Sequence, residues 1–243
     1  MGIEERLAQL KQKADYRPRK KWYQKWWGCL IIVILFIILI SLGGGALWVY
    51  NKAVEINQDK YLSQQKLSQQ NNRILTDGSI RNYTLGTSTP KLTIVEFSDL
   101  ACPFCKESAP IIRYIALRYN NQVKVVFRDM IGHQNSLELA LAARCAGEQG
   151  KFWEMHDEIF AQQDTLDINN LYAVASTAGV KDKTKFDSCL SSQKYLPQIK
   201  ADMADATALG IKATPTWYFD GVAHEGVIPQ TNFINIIETL LKK

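Results

Sequence analysis

Between Gly28 and Tyr50 the chain runs for 23 residues without a charge, largely Ile, Leu and Val. As a helix rising about 1.5 Å per residue this segment reaches about 34 Å, enough to cross a hydrocarbon core of about 30 Å. Trp26 and Trp27 at one end, with Trp48 and Tyr50 at the other, stand where amphipathic rings favour the headgroup level. Eight Lys/Arg precede the run, whereas Lys52, Lys60 and Lys66 follow it, a bias that places the N-terminus in the cytoplasm. The expected topology is a single-pass plasma-membrane protein with residues 51–243 outside. A cleaved signal peptide is the alternative, with Ser41, Gly43, Gly44, Gly45 and Ala46 offering small residues for cleavage. The long basic segment and the length of the apolar stretch favour an uncleaved signal-anchor. On either reading the remainder is exported to a compartment where cysteines can stay paired.

The net charge of +5 raises the question of a nucleic-acid partner, and its location answers it. Residues 1–27 hold the eight Lys/Arg against Glu4, Glu5 and Asp15, while residues 51–243 balance 21 basic against 21 acidic side chains. The exported part therefore has no net field to attract a polyanion, and nucleic acid is excluded as a partner. A chain of 243 residues, 47% apolar, is enough for one buried core plus accessories. The pattern divides it into a basic cytoplasmic tail (1–27), a transmembrane helix (28–50), a polar stalk rich in Gln and Asn (51–80) and a globular domain (81–243). Fewer than three clean heptads in the stalk argue against a coiled coil.

Within the globular part, Leu92–Phe97 reads as a buried strand, Cys102–Tyr119 as a helix with Ile111, Ile112, Ile115 and Ala116 at helical spacing, and Val123–Arg128 as a second strand. Strand, helix, strand implies a parallel pair joined by a right-handed crossover. Residues 137–146, 152–161, 171–178 and 198–209 then read as helices, so an all-helical insertion is expected at about 130–210. Strand character returns at Thr216–Phe219, with a turn at Asp220-Gly221, a short strand near Gly226–Ile228 and an amphipathic helix over 230–241.

Cys102-Pro103-Phe104-Cys105 falls after the first strand and at the start of the first helix. A cysteine there faces backbone N–H groups that lack helical partners and favour a thiolate. An unperturbed thiol, with a pKa of about 8.5, is only about 3% ionised at neutral pH, so any lowering directly enlarges the nucleophilic fraction. The helix dipole shifts a pKa by at most about 1.5 units, and hydrogen bonds to the Cys102 sulfur, including one from the Cys105 thiol, must supply more. Pro103 suits the first turn because its missing N–H has no helical partner there. No second CxxC is present, and His133, His156 and His224 lie far away in sequence, so no metal site is expected.

Residues 91–241 resemble the DsbA-like branch of the thioredoxin superfamily. The resemblance is carried by Val95-Glu96-Phe97-Ser98-Asp99 leading into the CxxC, by the run from Cys145 through Gly147, Gln149 and Gly150 to Phe152-Trp153, and by Ala213-Thr214-Pro215-Thr216. It implies an α/β thioredoxin fold with an all-helical insertion, preceded here by one N-terminal transmembrane helix. It also implies protein thiol-disulfide oxidoreductase activity through a redox-active Cys102–Cys105 disulfide, with no other cofactor. By the same resemblance Pro215 follows a cis bond beside the CxxC, the backbone of Thr214 pairs with bound peptide, and Pro103 and Phe104 line the substrate surface. Glu96, inside an otherwise apolar strand where an ionised carboxylate is costly, matches a buried acid beneath the second cysteine. Its expected role is proton acceptor for Cys105, with a pKa raised by desolvation. An edge position with the carboxylate in water is its alternative.

The implied partners are unfolded exported proteins that contain cysteines and a quinone-linked membrane reoxidase. In the family that this chain resembles, the best-known oxidase has His between the proline and the second cysteine, where Phe104 stands here, a departure that predicts a less acidic Cys102 and a less oxidising disulfide. Thr214 does not discriminate between oxidase and isomerase. Disulfide isomerase or reductase activity, or a redox-inert anchored binding module, remain the rival functions. Cys145 and Cys189, 44 positions apart in the insertion, form either a structural bridge worth about 4 kcal/mol or two buried thiols. Cys29 lies in the membrane run and needs no role.

Overall fold

The computed structural model describes residues 4, 21, 26–76 and 82–242. Most of the basic tail and residues 77–80 of the expected stalk lie outside the described residues. The chain divides into two compact units, Met1–Ser63 and Gln64–Lys243.

Helix α1 (Trp26–Thr76) contains the apolar run, continues through the polar segment, and is long and apolar enough to cross a membrane. The expected polar stalk is thus helical as far as Thr76. Its Gln, Lys and Leu residues are good helix formers, and extending an existing helix avoids the cost of nucleating a new one. Lys52 and Glu55 add an i,i+3 ion pair at 2.9 Å. In the second unit, Ser68 Oγ donates to the Asp220 carbonyl at 2.6 Å and Asn71 Nδ2 to the Gly221 carbonyl at 2.9 Å. Leu75 is buried with Val95, Phe97, Val126 and Tyr218. The end of α1 is therefore packed on the sheet.

The second unit carries β1 (Tyr83–Gly86), β2 (Leu92–Ser98), α2 (Pro103–Arg118), β3 (Val123–Asp129), α3 (Ser136–Gly147), α4 (Phe152–Ala161), α5 (Leu171–Thr177), α6 (Lys183–Ser191), α7 (Leu196–Ala208), β4 (Thr216–Phe219), β5 (Val222–Glu225) and α8 (Gln230–Leu241). The strands form a five-stranded sheet in the order β1-β3-β2-β4-β5. β2 and β3 are parallel, and the other neighbouring pairs are antiparallel. Both strands are buried on both faces, which is why Ile94 and Val95 in β2, and Val125 and Val126 in β3, are apolar on successive positions. Ile94, Val125, Phe127, Trp217 and Phe219 face the large core shared with α2, the helical block and α8. Val95, Phe97, Val126 and Tyr218 face the smaller core under α7 and the end of α1.

Three elements depart from the expected pattern. β1, four residues with alternating partial burial, carries too few apolar side chains to be seen in advance. α6 is polar, and its start is marked by the Asp182 carboxylate accepting from the Lys185 N–H at 2.9 Å. The last strand lies at Val222–Glu225 rather than near Gly226–Ile228. Asp220 and Gly221 both have positive φ, 50° and 75°, the geometry of a two-residue hairpin turn, so pairing resumes at once.

A buried ionic network ties the helical block to the sheet. Arg128 of β3 binds Asp202 and Asp205 of α7. Arg144 of α3 binds Asp129 at 2.5 Å and Asp202 at 2.6 Å. Arg128, Arg144, Asp129 and Asp202 are all buried. Burial outweighs the neighbouring guanidinium and pushes the Asp129 carboxyl up to about 6. Cys145 of α3 and Cys189 of α6 are joined as a disulfide.

Candidate active site

Because β2 and β3 are parallel and β4 runs antiparallel to β2, three loops meet at one end of the sheet. These are Asp99–Cys102 after β2, Met130–Asn135 after β3, and Ala213–Pro215 before β4. The register Phe97↔Thr216 and Ser98↔Asp129 sets them side by side. This is the carboxyl end of the parallel strands, where α/β sheets place their sites.

Cys102 caps α2 with extended backbone (φ −81°, ψ 126°), and Pro103 occupies the first turn. Helix α2 buries Cys105, Ser108, Ala109, Ile112, Ile115 and Ala116, a three-and-four spacing that faces the core and fixes the direction in which the CxxC points. The peptide bond between Thr214 and Pro215 is cis, and the Cys102 thiol donates to the Thr214 carbonyl at 3.4 Å. Gln163 Nε2, from the turn after α4, donates to the carbonyls of Leu100 and Cys102 at 3.0 and 3.1 Å and holds the loop from behind.

The two sulfurs are strongly unequal. Cys102 is lowered to about 5, first by a hydrogen bond from the Cys105 thiol, against opposition from burial. The Thr214 side chain and the N–H groups of Cys105 and Phe104 help, although the sulfur makes no regular capping bond. Cys105, fully buried, is driven far upward by desolvation, by giving its hydrogen bond to Cys102 and by the negative charge of Glu96. At pH 7 the first sulfur is thus mostly thiolate and the second a thiol. The Cys105 hydrogen bond is the largest contribution to the acidity of Cys102, as the expectation of a sulfur-to-sulfur bond in the turn required.

Glu96 lies on β2, one strand repeat from Ile94, so its side chain points into the same core as the two cysteines. It is on a central strand, which removes the edge reading. It is 0% exposed, and among the described residues neither carboxyl oxygen has a hydrogen-bond partner. Desolvation raises its pKa to about 8, tempered by the nearby Ser98 hydroxyl, whose own oxygen is also buried without a regular hydrogen bond. Buried unpaired polar atoms are rare enough to call for a reason, and these lie beneath the CxxC.

Sequence reasoning assigned no role to Ser98, Gln163 or the pair Asp99 and His133. The Asp99 carboxylate is buried and accepts from the imidazole Nδ1 of His133 at 2.7 Å. The available signal was the parallel register, which brings the loop after β3 beside the loop after β2. Cys102 itself is only 2% exposed, while Phe104 beside it is 60% exposed. Pro103 is also exposed, so the surface offered around the sulfur is apolar. Among the described residues no group of three or more His, Cys, Asp or Glu side chains is arranged to hold a metal ion.

A CxxC at the start of the crossover helix, facing a cis-proline loop on a five-stranded mixed sheet, defines a thioredoxin-fold protein with a dithiol site. The thioredoxin family model matches residues 79–239. The chain belongs to that family. Among solved structures it is similar to alpha-DsbA1 of Wolbachia pipientis (TM-score 0.61, 22% identity, 67% of this chain and 92% of that one). It is similar also to the thiol-disulfide exchange protein alpha-DsbA2 of the same organism (0.64, 16%, 75% and 98%) and to oxidised BdbD of Bacillus subtilis (0.58, 25%, 67% and 94%). Among curated proteins, the Na(+)/H(+) antiporter NhaA 1 of Mycolicibacterium vanbaalenii is 32% identical over 163 residues, 65% of this chain and 26% of the antiporter. The chain spans about a quarter of the length of the curated relatives it matches.

Proposed function

We propose that the chain is a membrane-tethered, extracytoplasmic thiol-disulfide oxidoreductase that forms disulfides in unfolded exported proteins through Cys102 and Cys105. The observation that carries the reading is the inequality of the two sulfurs, about 5 for Cys102 against a strongly raised Cys105. In the oxidised protein a substrate thiolate attacks the Cys102 sulfur and forms a mixed disulfide. The Cys102–Cys105 bond breaks, and Cys105 leaves with the electron pair and takes up a proton, which Glu96 is placed to give. A second substrate thiolate then attacks the substrate sulfur of the mixed disulfide, and Cys102 departs as a stable thiolate. Two electrons have moved from substrate to protein, and stabilising the departing thiolate drives the reaction toward substrate oxidation.

The substrate chain lies along Thr214 and Pro215 and against Phe104 and Pro103. An incoming backbone pairs with the Thr214 carbonyl, which lies 3.4 Å from the Cys102 sulfur. The dithiol is returned to the disulfide by a quinone-linked membrane reoxidase, which accepts the two electrons. The apolar part of α1 anchors the protein in the plasma membrane with its N-terminus in the cytoplasm, in keeping with the lysine and arginine bias. The test is redox equilibration with glutathione together with oxidation of a reduced model substrate, using wild type and Cys102→Ala. Equal behaviour of the two proteins would leave only an inert binding module.

A further inference from the structure

The Asp99 carboxylate is 1% exposed, yet its Oδ2 accepts from the N–H of Gly132 at 2.9 Å, the N–H of His133 at 3.1 Å, the Ser136 hydroxyl at 2.8 Å and the imidazole Nδ1 of His133 at 2.7 Å. Its Oδ1 accepts from the Ala101 N–H at 2.9 Å. A buried carboxylate that gathers this many donors is a natural partner for a cationic side chain. Among the described residues the ion-pair partner of Asp99 is His133 alone. The ring donates from Nδ1 to Asp99 Oδ2 at 2.7 Å, and this hydrogen bond is the chief reason the imidazole pKa stands above its ordinary value.

The same Asp99 is fastened to both cysteines. Its N–H donates to the Cys105 sulfur at 3.4 Å, and its carbonyl accepts from the Cys102 N–H at 2.9 Å. The Cys102 charge also favours the imidazolium, and by linkage the imidazolium favours the Cys102 thiolate to the same degree. The titratable groups acting on the ring are Asp99, from the loop ahead of α2, and Cys102, at the start of that helix. Ser136 of α3, bonded to the backbone N–H of His133 at 2.9 Å, is neutral.

We propose that His133 is a positioning residue of the redox site: as an imidazolium locked on Asp99, it supplies the positive charge that Pro103-Phe104 lacks and favours the reduced, thiolate form of the pair. The proposal rests on the thiol-disulfide exchange reading above. It makes His133 a determinant of how oxidising the Cys102–Cys105 disulfide is, from a loop remote in sequence.

The test compares wild type with His133→Asn, whose amide keeps a donor for Asp99 but carries no charge, and with His133→Ala. For the full chain in detergent, the equilibrium for reduction of the pair by glutathione is measured at pH 7 and at about pH 9, and Cys102 alkylation is followed against pH. At pH 7 the equilibrium constant for reduction should fall about two- to fivefold in His133→Asn, the range for a partly exposed charge pair. The alkylation midpoint should rise by a corresponding ~0.3 to 0.7 pH unit. At about pH 9, more than two units above the ordinary histidine value of about 6.5, the equilibria of the two proteins should converge. An unchanged equilibrium in His133→Asn at pH 7, or the same deficit at both pH values, would overturn the charge role. A wild type that fails to equilibrate with glutathione would instead refute the underlying function.

Discussion

Replacing Glu96 with Gln removes a charge that the fold can scarcely hold. The carboxyl titrates near 4.5 when solvated and near 8 in the folded protein, chiefly through desolvation. Between those values the folded state binds a proton that the unfolded chain has released, so wild-type stability falls as pH rises. Each unit costs about 1.36 kcal/mol, which amounts to about 3 kcal/mol by pH 7 and about 5 kcal/mol once pH exceeds the folded value. A buried amide also lacks partners, at a cost of about 1 to 3 kcal/mol, but that cost does not vary with pH. Urea unfolding of the full chain in detergent, in a Cys102→Ser background that fixes the redox state of the pair, isolates the pH-dependent part. The stability of the Gln variant relative to its Glu96 parent should grow by about 3 kcal/mol between pH 4.5 and pH 7 and level off above about pH 8. A difference that stays flat across this range would mean that the carboxyl titrates normally, and the argument that an unsolvated Glu96 exchanges a proton with Cys105 would fail.

Other substitutions test the remaining parts of the account. Cys105→Ala removes the largest contribution to Cys102 acidity, so the pH midpoint for Cys102 alkylation should rise by about one unit or more while staying below that of a free cysteine. Asp202→Ala leaves Arg128 and Arg144 each short of a buried partner. Denaturant unfolding should register a loss of about 3 to 5 kcal/mol, and a loss below about 1 kcal/mol would show that the network is solvated.

What could be read in advance depended on whether the signal was local. β2, α2 and β3 stood out because two-sided burial puts apolar residues on successive positions, as at Ile94-Val95 and Val125-Val126-Phe127, and because α2 buries one face at helical spacing. Glu96 stood out for the same reason, as an acid in an apolar run. The Cys102–Cys105 pair was legible from spacing and position alone. β5 was misplaced because Val222–Glu225 is exposed and mixed in character, and only the positive φ of Asp220 and Gly221 reveals how tightly the hairpin turns. The pairing of His133 with Asp99, and of Arg128 and Arg144 with Asp202, joins residues 34, 74 and 58 positions apart. No periodicity encodes such contacts. They follow from strand order, which places the loops after β2 and β3 together and packs α7 against β3. The Cys105 hydrogen bond to Cys102 was foreseen from the CxxC spacing, whereas its dominance over burial is a property of the folded turn.

The proposed chemistry stands or falls with the acidity of one sulfur. Iodoacetamide alkylation of Cys102 in the reduced full chain, followed against pH, should show a midpoint near 5 and leave Cys105 unmodified at neutral pH. A midpoint at or above about 8.5, the value of an ordinary cysteine, would contradict it.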